Sequence, residues 1–226
     1  MARIPRRLLV ELGSTNHCTW RSHNFSLVLE SSAAKSFLLA LVQKYVSRHG
    51  ILVRSYCLMG THPHFVVVAT RGQEEFSCFW KVVDQLFARW YNKQQECRRG
   101  QVVTQRMKSP MIQPDASGRH ILTVMRYGDL NPVRAGMVRS PKDYRWSSYR
   151  HYAFGEPNPL IDDEPEYLAL GHTPAQRRLA YRQLFASWIS EALRMRRPDL
   201  VEAAFYGDPT WVTRRTPRAA GPPPAI

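Results

Sequence analysis

The chain has 226 residues, 44% of them hydrophobic and 22% charged, which is the composition of a globular protein and not of a disordered one. No apolar run reaches the roughly 18 residues of a membrane span, and no apolar segment follows the basic N-terminus as in a secretory signal, so we expect a cytoplasmic protein without membrane contacts. The formal net charge is +14, and residues 1–150, with 23 basic and 9 acidic side chains, contribute all of it; this concentration of charge predicts a nucleic-acid partner.

The first 106 residues predict four strands and two helices. A serine at 31 or 32 is a suitable N-cap for the first helix, and Gly50 ends it. The strands are expected at residues 8–12, 51–59, 62–70 and 101–106, and the helices at 31–49 and 75–96.

This β-α-β-β-α-β order predicts an α+β, ferredoxin-like domain, in which a four-stranded antiparallel sheet carries both helices on one face. The other face is then open. A further helix, His120–Leu130, is expected to cover part of that open face. It should end at Asn131-Pro132, because a residue before proline is rarely helical.

The C-terminal part predicts a helix from Pro174 to Arg196 and a disordered tail rich in proline, alanine and arginine from Arg214 to Ile226. The chain therefore divides into a core domain at 1–155, a helical extension at 156–213 and a tail at 214–226.

The third predicted strand begins with His62-Pro63-His64. Residues two apart on a strand point to the same face, so both imidazoles should project together with Val66 and be able to share one metal ion. The proline removes a backbone donor, which predicts either a bulge or the very start of the strand. The motif alone is also compatible with chance, or with one core histidine beside a surface one.

Tyr127 and Asn131 are four residues apart, so a helix places them on one face, and that helix is the one expected over the open side of the sheet. Two histidines leave a metal under-coordinated. An asparagine oxygen, water and a substrate phosphate would complete the octahedral shell of a hard cation. We therefore expect Tyr127 to face a phosphate bound to that metal.

Three segments in this order resemble the single-tyrosine transposases, in particular their REP-associated branch. Residues 56–64, which end in His62-Pro63-His64, look like the family's His-hydrophobic-His strand, residues 127–136 look like its tyrosine helix, and residues 143–149 look like the segment that follows it. The resemblance covers about residues 5–155. It implies a nuclease that nicks single-stranded DNA near hairpins through a 5′-phosphotyrosine, with Tyr127 as nucleophile and His62, His64 and Asn131 as ligands of Mg²⁺ or Mn²⁺.

The expected partner is single-stranded or hairpin DNA, bound by a monomer or homodimer. No nucleotide cofactor is expected, because the phosphotyrosine retains the energy of the broken bond for rejoining. Arg126, Arg134 and Arg139 flank the tyrosine and are candidates for contacts with neighbouring phosphates. The general base is left open between Asp129, His120 and a metal-bound water.

Two alternatives stay open. A four-stranded sheet with a basic open face is also the platform of RNA-recognition domains, although no aromatic ribonucleoprotein motif is present on the first or third strand. The other alternative is a domesticated transposase that binds hairpins without cleaving them.

Overall fold

The computed structural model describes residues 4–95, 100–115, 117–186 and 197–216. Within these ranges the fold is α+β, with one five-stranded sheet in the order β2-β3-β1-β4-β5. The strands are β1 (Thr15–Thr19), β2 (Ile51–Leu58), β3 (Pro63–Ala69), β4 (Met111–Ile112) and β5 (Phe205–Tyr206). β3 pairs antiparallel with both β1 and β2, β4 pairs antiparallel with β1, and β5 runs parallel to β4.

The helices follow the strands in chain order. They are α1 (Ser32–His49), α2 (Gly72–Lys93), α3 (Arg119–Arg134), α4 (Tyr149–Phe154), α5 (Pro165–Leu168), α6 (Pro174–Ala186), α7 (Pro198–Val201) and α8 (Pro209–Arg215). Single 3₁₀ turns occur at Arg6–Leu8, His23–Phe25 and Pro141–Asp143. α1 begins and ends as predicted, since Ser31 Oγ accepts a hydrogen bond from the Ala34 amide and Gly50 ends the helix in the left-handed conformation, with a φ of 60°.

The alternation of side chains along β3 separates two cores. Phe65 and Val67 belong to the larger core, which also contains apolar residues of α1 and α2. Val66 points the other way and packs in a second core with residues of α3, including Val124 and Met125. The α3 helix therefore covers the sheet face that α1 and α2 leave open, as the sequence predicted.

The α+β class is confirmed, but the sheet has five strands where four were predicted. The first predicted strand, residues 8–12, is wrong: this segment follows a 3₁₀ turn and leaves Leu12 75% exposed. The strand predicted at residues 101–106 is also wrong, because only an isolated bridge between Ser22 and Val103 forms there. A local apolar pattern does not identify every strand of this sheet, because β1 itself contains the polar residues Asn16 and His17, both buried.

The predicted end of α3 is wrong as well, because the helix continues through Asn131 and Pro132 to Arg134. Both residues are buried, so packing outweighs the local preference against a helical residue before proline. In the tail predicted to be disordered, residues 214–215 belong to α8, and residues 217–226 lie outside the described residues. The helix predicted from Pro174 to Arg196 is described only as far as Ala186.

Residues after 155 contact the sheet directly. The amide of Val53 donates to Asp162 Oδ2 at 3.1 Å, and Met111 of β4 pairs with Phe205 of β5. The three-part division at residues 155 and 213 stays a prediction, since these contacts do not by themselves define a folding unit. Within the described ranges, no helix combines the length and the apolar character needed to cross a bilayer.

Candidate active site

A cavity of about 690 Å³ lies where the start of β3 meets the C-terminal half of α3. Five residues singled out by the sequence analysis line it together: His62, His64, Tyr127, Asn131 and Arg134. The three residues of α3 are spaced at i, i+4 and i+7, which places them on one face of a helix. Two distant segments of the chain thus contribute to one cavity.

The two histidines of the His62-Pro63-His64 motif lie side by side. Their ring centroids are 4.8 Å apart, with the planes nearly perpendicular. Pro63 is the first residue of β3, a position where the missing backbone donor costs no ladder hydrogen bond. His64 is buried, with 3% of its surface exposed, whereas His62 is only half-buried and its Nδ1 lies 2.8 Å from Thr61 Oγ1.

A third histidine, which the sequence analysis missed, belongs to the same group. His17 of β1 is buried, and its Nε2 lies 2.9 Å from His64 Nδ1. The two rings are stacked with centroids 5.1 Å apart. His17 is part of no recognisable motif, and because the first strand was predicted at residues 8–12, His17 was not expected to lie in the sheet. Only the correct pairing of β1 with β3, in which His17 is opposite Val66, could have revealed it.

Hydrogen bonding fixes the tautomers of these two rings. The Nδ1 of His17 lies 2.7 Å from the Leu200 carbonyl oxygen, which can only accept, so that nitrogen carries the proton. In a neutral ring Nε2 is then an acceptor, and His64 Nδ1 must donate to it. The remaining nitrogen, His64 Nε2, therefore carries a lone pair, and it is buried without a hydrogen-bond partner.

The electrostatics of the site keep the rings neutral. Burial lowers the pKa of His17 to about 4. Burial, with a smaller contribution from the positive charge of Arg21, lowers the pKa of His62 to about 4. The pKa of His64 is lowered well below its ordinary value, first by burial and then by the neighbouring His62. All three imidazoles are therefore neutral near pH 7, the protonation state that a metal ligand requires.

Arg134 contacts both of its neighbours on the α3 face. Its guanidinium carbon lies 4.0 Å from the centroid of the Tyr127 ring, and one of its amino groups donates to Asn131 Oδ1. The Tyr127 ring also lies near two histidines, with centroids 5.9 Å from His64 and 6.3 Å from His17. The tyrosine is thus held between a cation and neutral imidazoles.

The residues fit a divalent metal ion in part. The unpartnered lone pair of His64 Nε2 and the adjacent His62 ring suit one. Asn131 does not fit as it stands, because Oδ1 accepts from Arg134 and the nitrogen Nδ2 is the buried atom without a partner. Across the described ranges no group of three or more His, Cys, Asp or Glu side chains is arranged to hold a metal.

The other predicted residues lie elsewhere. Arg126 donates to the Leu184 carbonyl at 2.9 Å, and Arg139 is exposed; neither is among the described residues that line the cavity. Asp129 is buried and accepts a hydrogen bond from the Tyr181 hydroxyl at 2.8 Å. His120 packs against Tyr206, with ring centroids 5.6 Å apart. Neither of these two candidate bases reaches Tyr127 in this arrangement.

No protein-family model matches the chain, and no curated protein matches it. One solved structure, described as that of a REP-associated tyrosine transposase bound to a REP hairpin, is similar to this chain with a TM-score of 0.55. The sequence identity is 19%, and the match covers 73% of this chain and 93% of that one. At this identity the likeness shows a shared fold, and it supports the resemblance found in the sequence at that level.

Proposed function

We propose that this chain nicks and rejoins single-stranded DNA near hairpins, with Tyr127 as the nucleophile. The observation that carries the proposal is the convergence of Tyr127 with His62 and His64 in one cavity, although the tyrosine is more than 60 residues from both histidines in the sequence. A basic first part of the chain, which contributes the entire net charge of +14, suits a polyanionic substrate.

The reaction follows from the chemistry of a phenol and a phosphodiester. Tyr127 Oη loses its proton to solvent and attacks the phosphorus, a bond between phosphorus and the tyrosine oxygen forms, and the bond to the 3′ oxygen breaks, with that oxygen taking a proton from solvent. The product is a 5′-phosphotyrosine and a free 3′-hydroxyl, and the reverse attack by another 3′-hydroxyl rejoins the strand. Arg134, which lies against the Tyr127 ring, is placed to stabilise negative charge at the phenol oxygen or a phosphate.

In this proposal His62 and His64 would hold a divalent ion, Mg²⁺ or Mn²⁺, and Asn131 would be a third ligand only if its oxygen no longer accepted from Arg134. Such an ion supplies Lewis-acid polarisation of the phosphate oxygens. His17 acts through His64: it accepts the Nδ1 proton of that ring and so keeps the Nε2 lone pair turned toward the cavity. The Leu200 carbonyl fixes His17 in the same way.

The fold supports the proposal. The first four strands and the helices α1 and α2 occur in the order β-α-β-β-α-β, and we propose that they form a ferredoxin-like nuclease core to which β5 is added. The similar solved structure is described as a tyrosine transposase with a DNA hairpin bound, which makes hairpin DNA the first substrate to try.

A denaturing gel tests the proposal. The protein is incubated with hairpin DNA that carries a single-stranded flank and with Mg²⁺ or Mn²⁺. A label at the 3′ end should move to protein mobility, since the enzyme stays attached to the 5′-phosphate side of the cut, and a label at the 5′ end should appear on a short free strand. Cleavage without any adduct would mean that water attacks, and the proposal would fail.

The contact between Arg134 and Asn131 Oδ1 favours a second candidate, a domesticated protein that binds hairpin DNA or RNA without cutting it. The Arg134 guanidinium already occupies Asn131 Oδ1, so this oxygen is not free to serve as a third ligand for a metal ion. Salt-dependent hairpin binding, with neither adduct nor cleavage under any divalent ion, would select this candidate.

A further inference from the structure

Phe25 is an exposed aromatic side chain at the cavity that contains Tyr127. It lies in the short turn His23–Phe25, its exposure is 65%, and it is one of the residues lining the cavity. An exposed phenylalanine alone is unremarkable. Its position beside the candidate active site makes it a candidate for contact with the substrate.

The backbone at Phe25 has an uncommon conformation. Its φ is 55°, and the φ of the preceding Asn24 is 50°. Positive φ is rare for a bulky side chain, and residues held in that region concentrate at ligand-binding sites. The turn is nevertheless anchored at its base, because the Ser22 amide donates to the Thr61 carbonyl at 3.0 Å and the His23 amide to the Val102 carbonyl at 2.9 Å.

Thr61 immediately precedes His62, so this anchor links the Phe25 turn to the segment that carries the candidate metal ligands. The backbone conformation thus directs an apolar ring toward the cavity instead of burying it in the core.

A positive charge lies beside the ring. The guanidinium carbon of Arg21 lies 5.0 Å from the Phe25 ring centroid. Arg21, Arg106 and Lys108 are exposed and line the same cavity as Arg134, together with one acidic residue, Glu202. An aromatic platform among cations is the arrangement that binds single-stranded nucleic acid, since cations contact the phosphates and the ring stacks on a base.

We propose that Phe25 stacks on one unpaired nucleobase of the single strand whose phosphate reaches Tyr127, with Arg21 beside it as a phosphate contact. This inference rests on the proposed function and adds a base-binding subsite to it. Stacking tolerates any base, so the subsite adds affinity for the strand and does not read its sequence.

Equilibrium binding of a fluorescent single-stranded oligonucleotide tests the subsite by anisotropy. Phe25→Ala should weaken binding about 5- to 150-fold, the range that corresponds to about 1–3 kcal/mol per stacked base. Phe25→Trp should retain the affinity, whereas Phe25→Leu should lose most of it although it remains apolar. Leu12→Ala is the matched control, because Leu12 is 75% exposed and does not line the cavity; it should leave affinity unchanged.

The salt dependence of affinity distinguishes the contribution of the Phe25 ring from that of the charged side chains. Phe25→Ala should lower affinity by the same factor at every salt concentration, whereas Arg21→Ala should reduce the slope of log affinity against log salt by about 0.7 for a single strand. With 2-aminopurine at successive positions of the single-stranded flank of a hairpin, whose duplex sets the register, one position should be quenched by the wild type and not by Phe25→Ala.

The outcomes distinguish the two proposals. If the wild type binds DNA but Phe25→Ala binds equally well and quenches the probe equally, the stacking subsite is wrong and the nuclease proposal stands. If the wild type binds neither this oligonucleotide nor a hairpin with a single-stranded flank at low salt, both proposals fail; binding of the hairpin alone, with equal affinity in Phe25→Ala, would overturn only the subsite. A normal melting temperature for Phe25→Ala, expected for an exposed residue, ensures that a loss of binding is not a loss of fold.

Discussion

The Arg134 guanidinium lies over the Tyr127 ring, 4.0 Å from its centroid, and also donates to Asn131 Oδ1. One cation therefore contacts both the candidate nucleophile and the candidate third metal ligand. A divalent ion that used Asn131 would have to displace this guanidinium, so Arg134 would compete with the proposed metal for one oxygen.

Arg134→Gln tests that competition. Without the positive charge, Mn²⁺ should bind the protein severalfold more tightly, while binding of single-stranded DNA should weaken because a phosphate contact is lost. Titration of Mn²⁺ followed by electron paramagnetic resonance measures the first effect without any DNA. Arg139→Gln is the control, since Arg139 is exposed and lies outside the cavity lining. Equal Mn²⁺ affinity in both variants and the wild type would exclude competition.

Tyr127→Phe should abolish the covalent adduct and leave folding and DNA binding nearly unchanged, because only the hydroxyl is removed. The measurement is the denaturing gel with a 3′-labelled hairpin. Tyr56→Phe and Tyr149→Phe are informative controls, since both tyrosines are buried outside the cavity lining and should still form the adduct. An adduct that persists in Tyr127→Phe would assign the nucleophile to another residue.

His62→Ala and His64→Ala should abolish cleavage and reduce Mn²⁺ binding while most DNA affinity remains, because phosphate contacts elsewhere carry that affinity. Asn131→Ala should have a milder effect, since water can replace a neutral oxygen ligand. Chelation by EDTA should stop the wild type, and added Mg²⁺ or Mn²⁺ should restore it. Normal cleavage by both histidine variants would disprove the metal assignment.

His17→Phe should preserve the packing of the imidazole and remove the acceptor for His64 Nδ1–H. We expect Mn²⁺ affinity to fall about 10- to 100-fold, as for other residues that orient a metal ligand. In the metal-free wild type, nitrogen chemical shifts should show His64 protonated at Nδ1, and the variant should show a mixture of tautomers. His17→Gln, whose amide oxygen can accept from His64, should recover part of the affinity. An unchanged tautomer in His17→Phe would rule out the orienting role.

Tyr181→Phe should destabilise the protein by about 1–3 kcal/mol, the cost of leaving a buried polar group without its partner. The Tyr181 hydroxyl donates to Asp129 Oδ2 at 2.8 Å, and burial raises the pKa of this carboxyl to about 8. Urea denaturation measures the change. A double-mutant cycle with Asp129→Asn should give a coupling energy clearly different from zero, and simple additivity would show that the two groups act independently.

Local sequence patterns predicted the parts of this molecule that depend on local chemistry. Ser31 and Gly50 mark the ends of α1, and the alternation from His64 to Val67 separates the two faces of β3, because capping and side-chain period are properties of neighbouring residues. The spacing of Tyr127 and Asn131 likewise predicted that they share one helix face, and both are in α3 and line the cavity.

Features that depend on distant contacts could not be predicted in this way. β5 consists of Phe205 and Tyr206 alone, and it is a strand because these two residues pair with Met111 and Ile112 of β4. Two residues are too few to show a strand pattern in the sequence. β1 contains buried Asn16, whose side chain donates to the carbonyls of Leu9 and Ser109, partners 7 and 93 residues away. The role of His17 depends on two such contacts at once, one to β3 and one to Leu200.

The hydrogen bond from His17 to the Leu200 carbonyl has a thermodynamic consequence for the far end of the chain. A ligand bound at His64 Nε2 should restrict the motion of that ring and strengthen its hydrogen bond to His17, and with it the hydrogen bond from His17 to the Leu200 carbonyl. By linkage, such a ligand should stabilise the segment around Leu200. That segment continues into β5, whose backbone pairs with β4. Amide protons around residues 205–206 should therefore exchange more slowly when Mn²⁺ is added, although they are remote in sequence from every proposed ligand. If the proposed metal binds, hydrogen exchange at this edge of the sheet would report its occupancy.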